Sequence, residues 1–230
     1  MRAYPYPFVG RRRETAWLRA ELEAGRSVVL TGIWGIGRTA LAKRVAEEMA
    51  REWVFVFTDF DRGPGQVWCD LFSAIFPRAK ERLRTEGRSA EWMRYRISKR
   101  RLEDRRRHVV VVDNVARLTG PRLDAIRRLR ERFQILAVAE ASLPEAAGVA
   151  LCAALWARRP MRLGHLSEAA TAAFFDECSR RHGFGWTEGE LQGLSRAVNG
   201  FPLGMREAVA AELRRRAIVS NESCLWLKER

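Results

Sequence analysis

The residues best suited to chemistry are Gly32-Ile33-Trp34-Gly35-Ile36-Gly37-Arg38-Thr39 and, far along the chain, Asp113 and Asn114. The octet has the spacing G-x-x-x-x-G-K-[ST], except that Arg38 stands where the pattern has lysine. Glycines so placed let backbone N–H groups converge on phosphate oxygens, and the helix that follows adds a positive partial charge at its start. Gly32, Gly35, Ile36, Gly37, Arg38, Thr39 and Ala40 are therefore candidate residues for binding ATP or ADP. Asp113 follows four consecutive valines, and a strand of that kind delivers a carboxylate to the mouth of a phosphate loop. The Thr39 hydroxyl and Asp113 are thus the candidate Mg2+ ligands, with a turn-capping aspartate as the plainer reading of Asp113. Asn114 occupies the candidate catalytic position beside it, but an amide cannot accept the proton of an attacking water. Glu140, at the end of another apolar run, is a further candidate for activating water.

The elements that would position these residues alternate. A helix from Thr15 to Ala24 precedes a strand Ser27–Thr31, the glycine loop, and a helix from Arg38 to about Arg51. Trp53–Phe57 reads as a fully apolar strand buried on both faces. A helix Val67–Phe76, a strand His108–Asp113, a helix from Pro121 to Arg130, a strand Phe133–Val138 and a short strand Met161–Leu163 follow. Such alternation predicts an α/β fold, a P-loop NTPase core with a parallel five-stranded sheet flanked by helices. From Ser167 the pattern is helical only (Ser167–Arg181, Thr187–Val198, Leu203–Arg216), which places a boundary near residue 164. The expected domains are a nucleotide-binding core, 1–164, and a small helical lid, 165–230.

With 230 residues, 47% of them hydrophobic, the chain can bury a substantial core, so wholesale disorder is excluded. No apolar run long enough for a membrane span and no secretory signal is present, so a cytoplasmic location is expected. Cys69, Cys152, Cys178 and Cys224 have no metal-ligand spacing and read as reduced core thiols, and His108, His165 and His182 are equally scattered. The net charge is +14, and residues 78–107 alone carry +8, in what reads as two helices joined near Gly87. That stretch is either a solvated helix face or a surface for a phosphate backbone. On the second reading Arg94, Arg96, Lys99, Arg100, Arg101, Arg105, Arg106 and Arg107 are candidate nucleic-acid contacts, sequence-tolerant and suited to double-stranded DNA, with RNA not distinguished. Trp92 and Tyr95 lie among them, at a spacing that suits either base stacking or the buried stripe of a helix.

The ordered set of motifs resembles the nucleotide-binding domain of the STAND ATPases, the NB-ARC-like branch of the AAA+ superfamily, and related archaeal-type ATPases. Phe8-Val9-Gly10-Arg11 with Glu14 is similar to that family's N-terminal motif beside adenine. Gly32–Ala42 resembles its Walker A segment, Val109–Asn114 its Walker B strand and Gln134–Val138 its sensor strand. Met161–Ser167 resembles the entry to its helical subdomain, and Asn199-Gly200-Phe201-Pro202-Leu203 its Gly-x-Pro motif. The resemblance covers residues 8–216 and implies that Val9 and Pro202 lie near the base. Three positions depart from it: Arg38 for lysine, Asn114 for an acid, and Ala139-Glu140 where the family's strand ends in arginine. With 28 residues after Pro202, the family's winged-helix domain is not expected. The resemblance implies a nucleotide-dependent switch for homo-oligomer or partner assembly, the three departures point to slow or lost ATP hydrolysis, and the charge of residues 78–107 points to DNA association through the basic helices. The alternative is a pseudo-ATPase scaffold that binds no nucleotide.

Overall fold

The computed structural model describes the backbone of residues 6–76, 89–99 and 106–226, and side chains over 6–76, 89–98 and 106–217. Val109–Val112 are all fully buried, as a strand with cover on both faces requires. They belong to β3 (Arg107–Val115), one of five strands with β1 (Val28–Gly32), β2 (Trp53–Asp59), β4 (Gln134–Glu140) and β5 (Met161–Arg162). The sheet is parallel throughout, in the order β2-β3-β4-β1-β5. Successive strand residues face opposite ways, so Val110 and Val112 enter a core with Ile135 and Ala137 of β4, while Val109 and Val111 are buried on the other face.

Helices α3 (Pro64–Ile75), α4 (Ala90–Lys99), α5 (Gly120–Arg130) and α6 (Glu145–Leu155) supply Leu71, Phe72, Met93, Ile97, Ile126, Leu129 and Leu151 to that first core. Helices α1 (Arg12–Glu23) and α2 (Arg38–Glu48) pack on one another and on β1, burying Leu18, Leu22, Leu41 and Val45. A 3-10 turn, Phe60–Arg62, joins β2 to α3.

Two expectations differ from this arrangement. The strand expected to be buried on both faces, β2, is the sheet edge, and Val54, Phe55 and Phe57 are half-buried, because an edge strand has a neighbour on one side only. Helix α6 was not anticipated: its sequence, EAAGVALCAAL, is apolar nearly all round and so carries no 3.6-residue stripe. Of the two basic helices expected in 78–107, the second corresponds to α4, and the first lies outside the described residues.

Residues 164–230 group with the chain before Arg12 and with Gly35–Gly37 into a second unit. The division after Leu163 lies beside the expected boundary, but the N-terminal motif and the loop tip fall with the helices rather than with the sheet. Among the described residues three helices build it: α7 (Glu168–His182), α8 (Glu188–Val198) and α9 (Pro202–Trp226), the last eleven residues longer than the sequence pattern suggests. Ser167 caps α7 by accepting from the Ala170 N–H, and Gly183 ends that helix in the left-handed conformation. Thr187 and Glu190 form a reciprocal capping box on α8. Phe174, Phe175, Cys178, Phe184, Met205 and Val209 form this unit's core. Among the described residues no helix is long and apolar enough to cross a membrane.

Candidate nucleotide site

In the sheet unit, β1 ends at Gly32 and α2 begins at Arg38, so the loop between them has the strand-loop-helix setting that phosphate binding needs. Thr39, in the first turn of α2, donates its hydroxyl to both carboxylate oxygens of Asp113, at 3.0 and 3.2 Å. The β3–β4 register is irregular between Val112 and Val115, and this irregularity leaves Asp113 and Asn114 without partners on β4. Asn114 adopts φ 60°, and its N–H donates to Asp113 Oδ1 at 2.9 Å. Its side-chain Nδ2 donates to Asp59 Oδ1 at 3.1 Å. Asp59 is the register partner of Asp113 on β2, so two neighbouring parallel strands end in carboxylates at the same level. A cleft of about 720 Å3 opens beside them, lined by Thr39, Lys43, Asp59, Asp70, Asp113 and Asn114.

Asp59 and Lys43 are site residues that sequence reasoning missed. Asp59 follows Thr58 directly after the apolar run of β2, and extending that strand by two residues would have found it. Lys43 lies four residues after Thr39, on the same face of α2.

Arg38 is buried, at 8% exposure. Its Nη1 donates to the Ala139 carbonyl, and its Nη2 lies 3.8 Å from Glu140 Oε1. Burial pulls the guanidinium below its ordinary range, while Glu140 and Asp113 pull it back up. Glu140 therefore serves as a counter-ion, which argues against the water-activating role considered for it.

The loop tip belongs to the helical unit. Gly35 and Gly37 have φ 82° and 95°, and a Cβ on Gly35 would stand 2.8 Å from Leu203 Cβ and 2.9 Å from Phe201 Cζ. Leu203 donates its N–H to the Gly35 carbonyl at 3.1 Å. Ile36 is buried, at 1% exposure. Arg11 is also buried and donates to the carbonyls of Ile36 and Gly164, so it ties the loop tip to the start of the helical segment. Val9 and Pro202 are half-buried, Val9 against the aromatic core. His165 donates its Nδ1–H to the Asn199 carbonyl at 2.7 Å and rests on Phe201, a structural use. Among the described residues no group of three or more His, Cys, Asp or Glu could hold a metal ion by themselves.

A family model for the AAA domain matches residues 21–146, more than half of the chain and the part that holds the loop, Thr39, Asp113 and Glu140. The chain belongs to the AAA domain family. No curated protein matches it. Solved structures similar to this AAA chain include the Aeropyrum pernix ORC1 protein in complex with DNA (TM-score 0.59, 15% identity, 92% of this chain and 62% of that one). The Aeropyrum pernix ORC2 protein with ADPNP and ADP is another (TM-score 0.67, 16% identity, 97% and 66%). A third is the Thermotoga maritima RuvB Holliday junction branch migration motor (TM-score 0.58, 14% identity, 94% and 65%). These likenesses place the fold among P-loop NTPases, and the AAA chain spans roughly two thirds or less of each of those proteins.

The arginines at the start of β3, among the candidate nucleic-acid contacts, stand away from Asp113. Arg106 and Arg107 stand exposed at the opening end of β3, and Arg107 lies six residues before Asp113, roughly 20 Å along a strand. Arg106 donates to the Ala50 carbonyl and Arg107 to that of Glu23, with Arg107 also over the Trp53 ring. On α4, Arg96 is exposed and lies over Trp92, while Arg94 lines a recess of about 360 Å3 with Arg128 and Arg132. Trp92 packs on Phe72 and so belongs to the buried stripe, whereas Tyr95 is 59% exposed. The side chain of Lys99, and Arg100, Arg101 and Arg105, lie outside the described residues. Cys178 is buried as expected, but Cys69 and Cys152 are half-buried, and Cys224 lies outside the described side chains.

Proposed function

We propose that this AAA chain is a STAND-like protein that binds ATP or ADP with Mg2+ and uses the bound nucleotide to switch its assembly with itself or with a partner protein. The observation that carries the reading is the Thr39–Asp113 contact, at 3.0 and 3.2 Å, in the first turn of the helix that follows the glycine loop in sequence. A hydroxyl and a carboxylate are the hard oxygen donors that suit Mg2+, and both are reachable from the 720 Å3 cleft. When bound, the ion neutralises phosphate charge. Thr39 and Asp113 would hold it, the amides of Gly35–Gly37 would receive the phosphates, and Val9 and Pro202 are assigned to the base. The description of the similar Aeropyrum ORC2 protein with ADPNP and ADP supports the ligand class.

Hydrolysis is proposed to be weak or absent, for a reason that lies in the side chains. Asn114 cannot take a proton, and its amide nitrogen is already engaged with Asp59. Arg38 is turned into β4 rather than into the loop. The test is calorimetric titration of nucleotide-free protein with ADP and with ATPγS, each with Mg2+. Micromolar binding of either supports the reading; no heat with either overturns it and leaves the scaffold.

Association with double-stranded DNA is a second part of the proposal, supported by the exposed Arg96, Arg106 and Arg107 and by the similar ORC1 protein solved with DNA. Its contacts would be to the phosphate backbone, so affinity should fall steeply with salt. An affinity unchanged between low and high salt would refute that mechanism.

A further inference from the structure

Strand β4 lies between β1, which feeds the phosphate loop, and β3, which ends in Asp113. Its last residue, Glu140, is the register partner of Gly32, the first glycine of the loop. A carboxylate is thus built into the sheet between the two features that hold phosphate and metal. It is held from both sides: Oε1 faces Arg38 at 3.8 Å, and Oε2 accepts the Ser142 hydroxyl at 3.3 Å.

We propose that Glu140 is a specificity-determining residue of the nucleotide site, which as the internal counter-ion of Arg38 favours nucleoside diphosphates over triphosphates. The inference rests on the nucleotide-binding reading above. In a phosphate loop the backbone amides serve the first two phosphates, and the side chain at the lysine position serves the last two. Here that side chain is spent. Its guanidinium is engaged by the Ala139 carbonyl and the Glu140 carboxylate, in an environment that is 8% exposed. A third phosphate must draw Arg38 away from Glu140 and then lie near a carboxylate left without its partner. A diphosphate relies mainly on the loop amides and on Thr39 and makes the smaller demand.

The same geometry explains why arginine stands at this position. A planar guanidinium presents several N–H groups in a fixed fork and can meet a carbonyl and a carboxylate on one strand end together. A lysine ammonium, a point charge on a flexible stem, lacks that fork. The two departures from the usual loop pattern, Arg38 and Glu140, are therefore one feature: each supplies what the other requires.

The experiment is titration of nucleotide-free wild type, E140Q, R38K and the double variant with ADP and with ATPγS in Mg2+. Thermal melting of each variant checks that the fold is kept. Glutamine retains the shape of Glu140 and can still accept from Arg38 and Ser142, so only the charge is removed. Wild type is expected to prefer ADP. E140Q should bind ATPγS about tenfold more tightly, the equivalent of 1.4 kcal/mol, with ADP changed by less than about threefold. R38K should shift the preference in the same direction, and the double variant should gain less than the sum of the two, because both substitutions break one interaction. Binding of both nucleotides with an unchanged preference in E140Q and R38K would overturn this proposal and leave nucleotide binding standing. Failure of every form to bind either nucleotide would overturn nucleotide binding, and this proposal with it.

Discussion

Gly200 offers a sharp test of how the helical unit holds the loop tip. Its φ is 69°, and a Cβ added there would lie 2.2 Å from the Leu166 carbonyl oxygen and 3.0 Å from the Leu166 N and C. Those are backbone atoms, which cannot rotate away, and Leu166 also donates its N–H to the Gly200 carbonyl at 2.8 Å. Gly200→Ala thus combines three costs. Holding an alanine in the left-handed region costs about 1 kcal/mol, relieving the overlap about 2 kcal/mol, and weakening the hydrogen bond about 1 kcal/mol. The total is about 4 kcal/mol, which lowers the melting temperature by about 8–16 °C in a chain of this size. Gly183 is the control, because its φ is 63° in the same unit and a Cβ there meets nothing within 4 Å. Gly183→Ala carries the conformational cost alone, about 1 kcal/mol, and should lower melting by about 2–4 °C. Thermal unfolding followed by circular dichroism on both variants decides the matter. If G200A melts within about 3 °C of G183A, the contact with Leu166 does not constrain this turn and the reasoning fails. Because Gly200 leads into Phe201 and Leu203, which pack on Gly35, G200A should also weaken nucleotide binding.

Removing the carboxylate that faces Thr39 with D113N should lower Mg2+-dependent nucleotide affinity by about 12- to 150-fold, the equivalent of the about 1.5–3 kcal/mol of one charge-assisted contact. It should also abolish the difference between titrations in Mg2+ and in EDTA, and an undiminished EDTA effect would refute the assignment. The Glu212 carboxylate accepts from Arg215 and Arg216, contacts that hold it down at about 2. A depressed carboxylate stabilises the fold at pH values above its ordinary range, and that stability is lost as pH falls from about 5 through its folded value. The melting difference between wild type and E212Q should therefore be full at neutral pH and shrink toward zero near pH 2; a constant difference would count against it. Burial pushes the Cys178 thiol up to about 11, so at pH 8 about 0.1% of it is thiolate. Alkylation mapped by mass spectrometry should leave Cys178 unmodified in the native protein and label it in urea, and equal rates in both would contradict its placement in the core.

What was legible in the sequence was whatever depends on neighbours along the chain. The glycine loop, its flanking strand and helix, the valine strand ending in Asp113, and the helix starts at Ser167 and Thr187 are all encoded within a few residues of themselves. Trp92 was open between two readings because a spacing of three residues marks a helix face without saying what covers it; its contact with Phe72 decided the matter. The uniform apolarity of α6 hid it, since a helix without a polar face has no period to detect.

The tertiary structure decided everything that depends on strand order. Sequence alone placed apolar runs at 53–57, 108–113 and 133–138, but the order β2-β3-β4-β1-β5 made the first of them an edge. That order also put Asp59 level with Asp113 and stood Glu140 between the glycine loop that follows β1 and the end of β3. Arg38 and Glu140 are 102 positions apart, so no local pattern could join them. Parallel pairing of β1 with β4 sets Glu140 level with Gly32, at the same end of the sheet as the start of α2, and there Arg38 meets the Glu140 carboxylate.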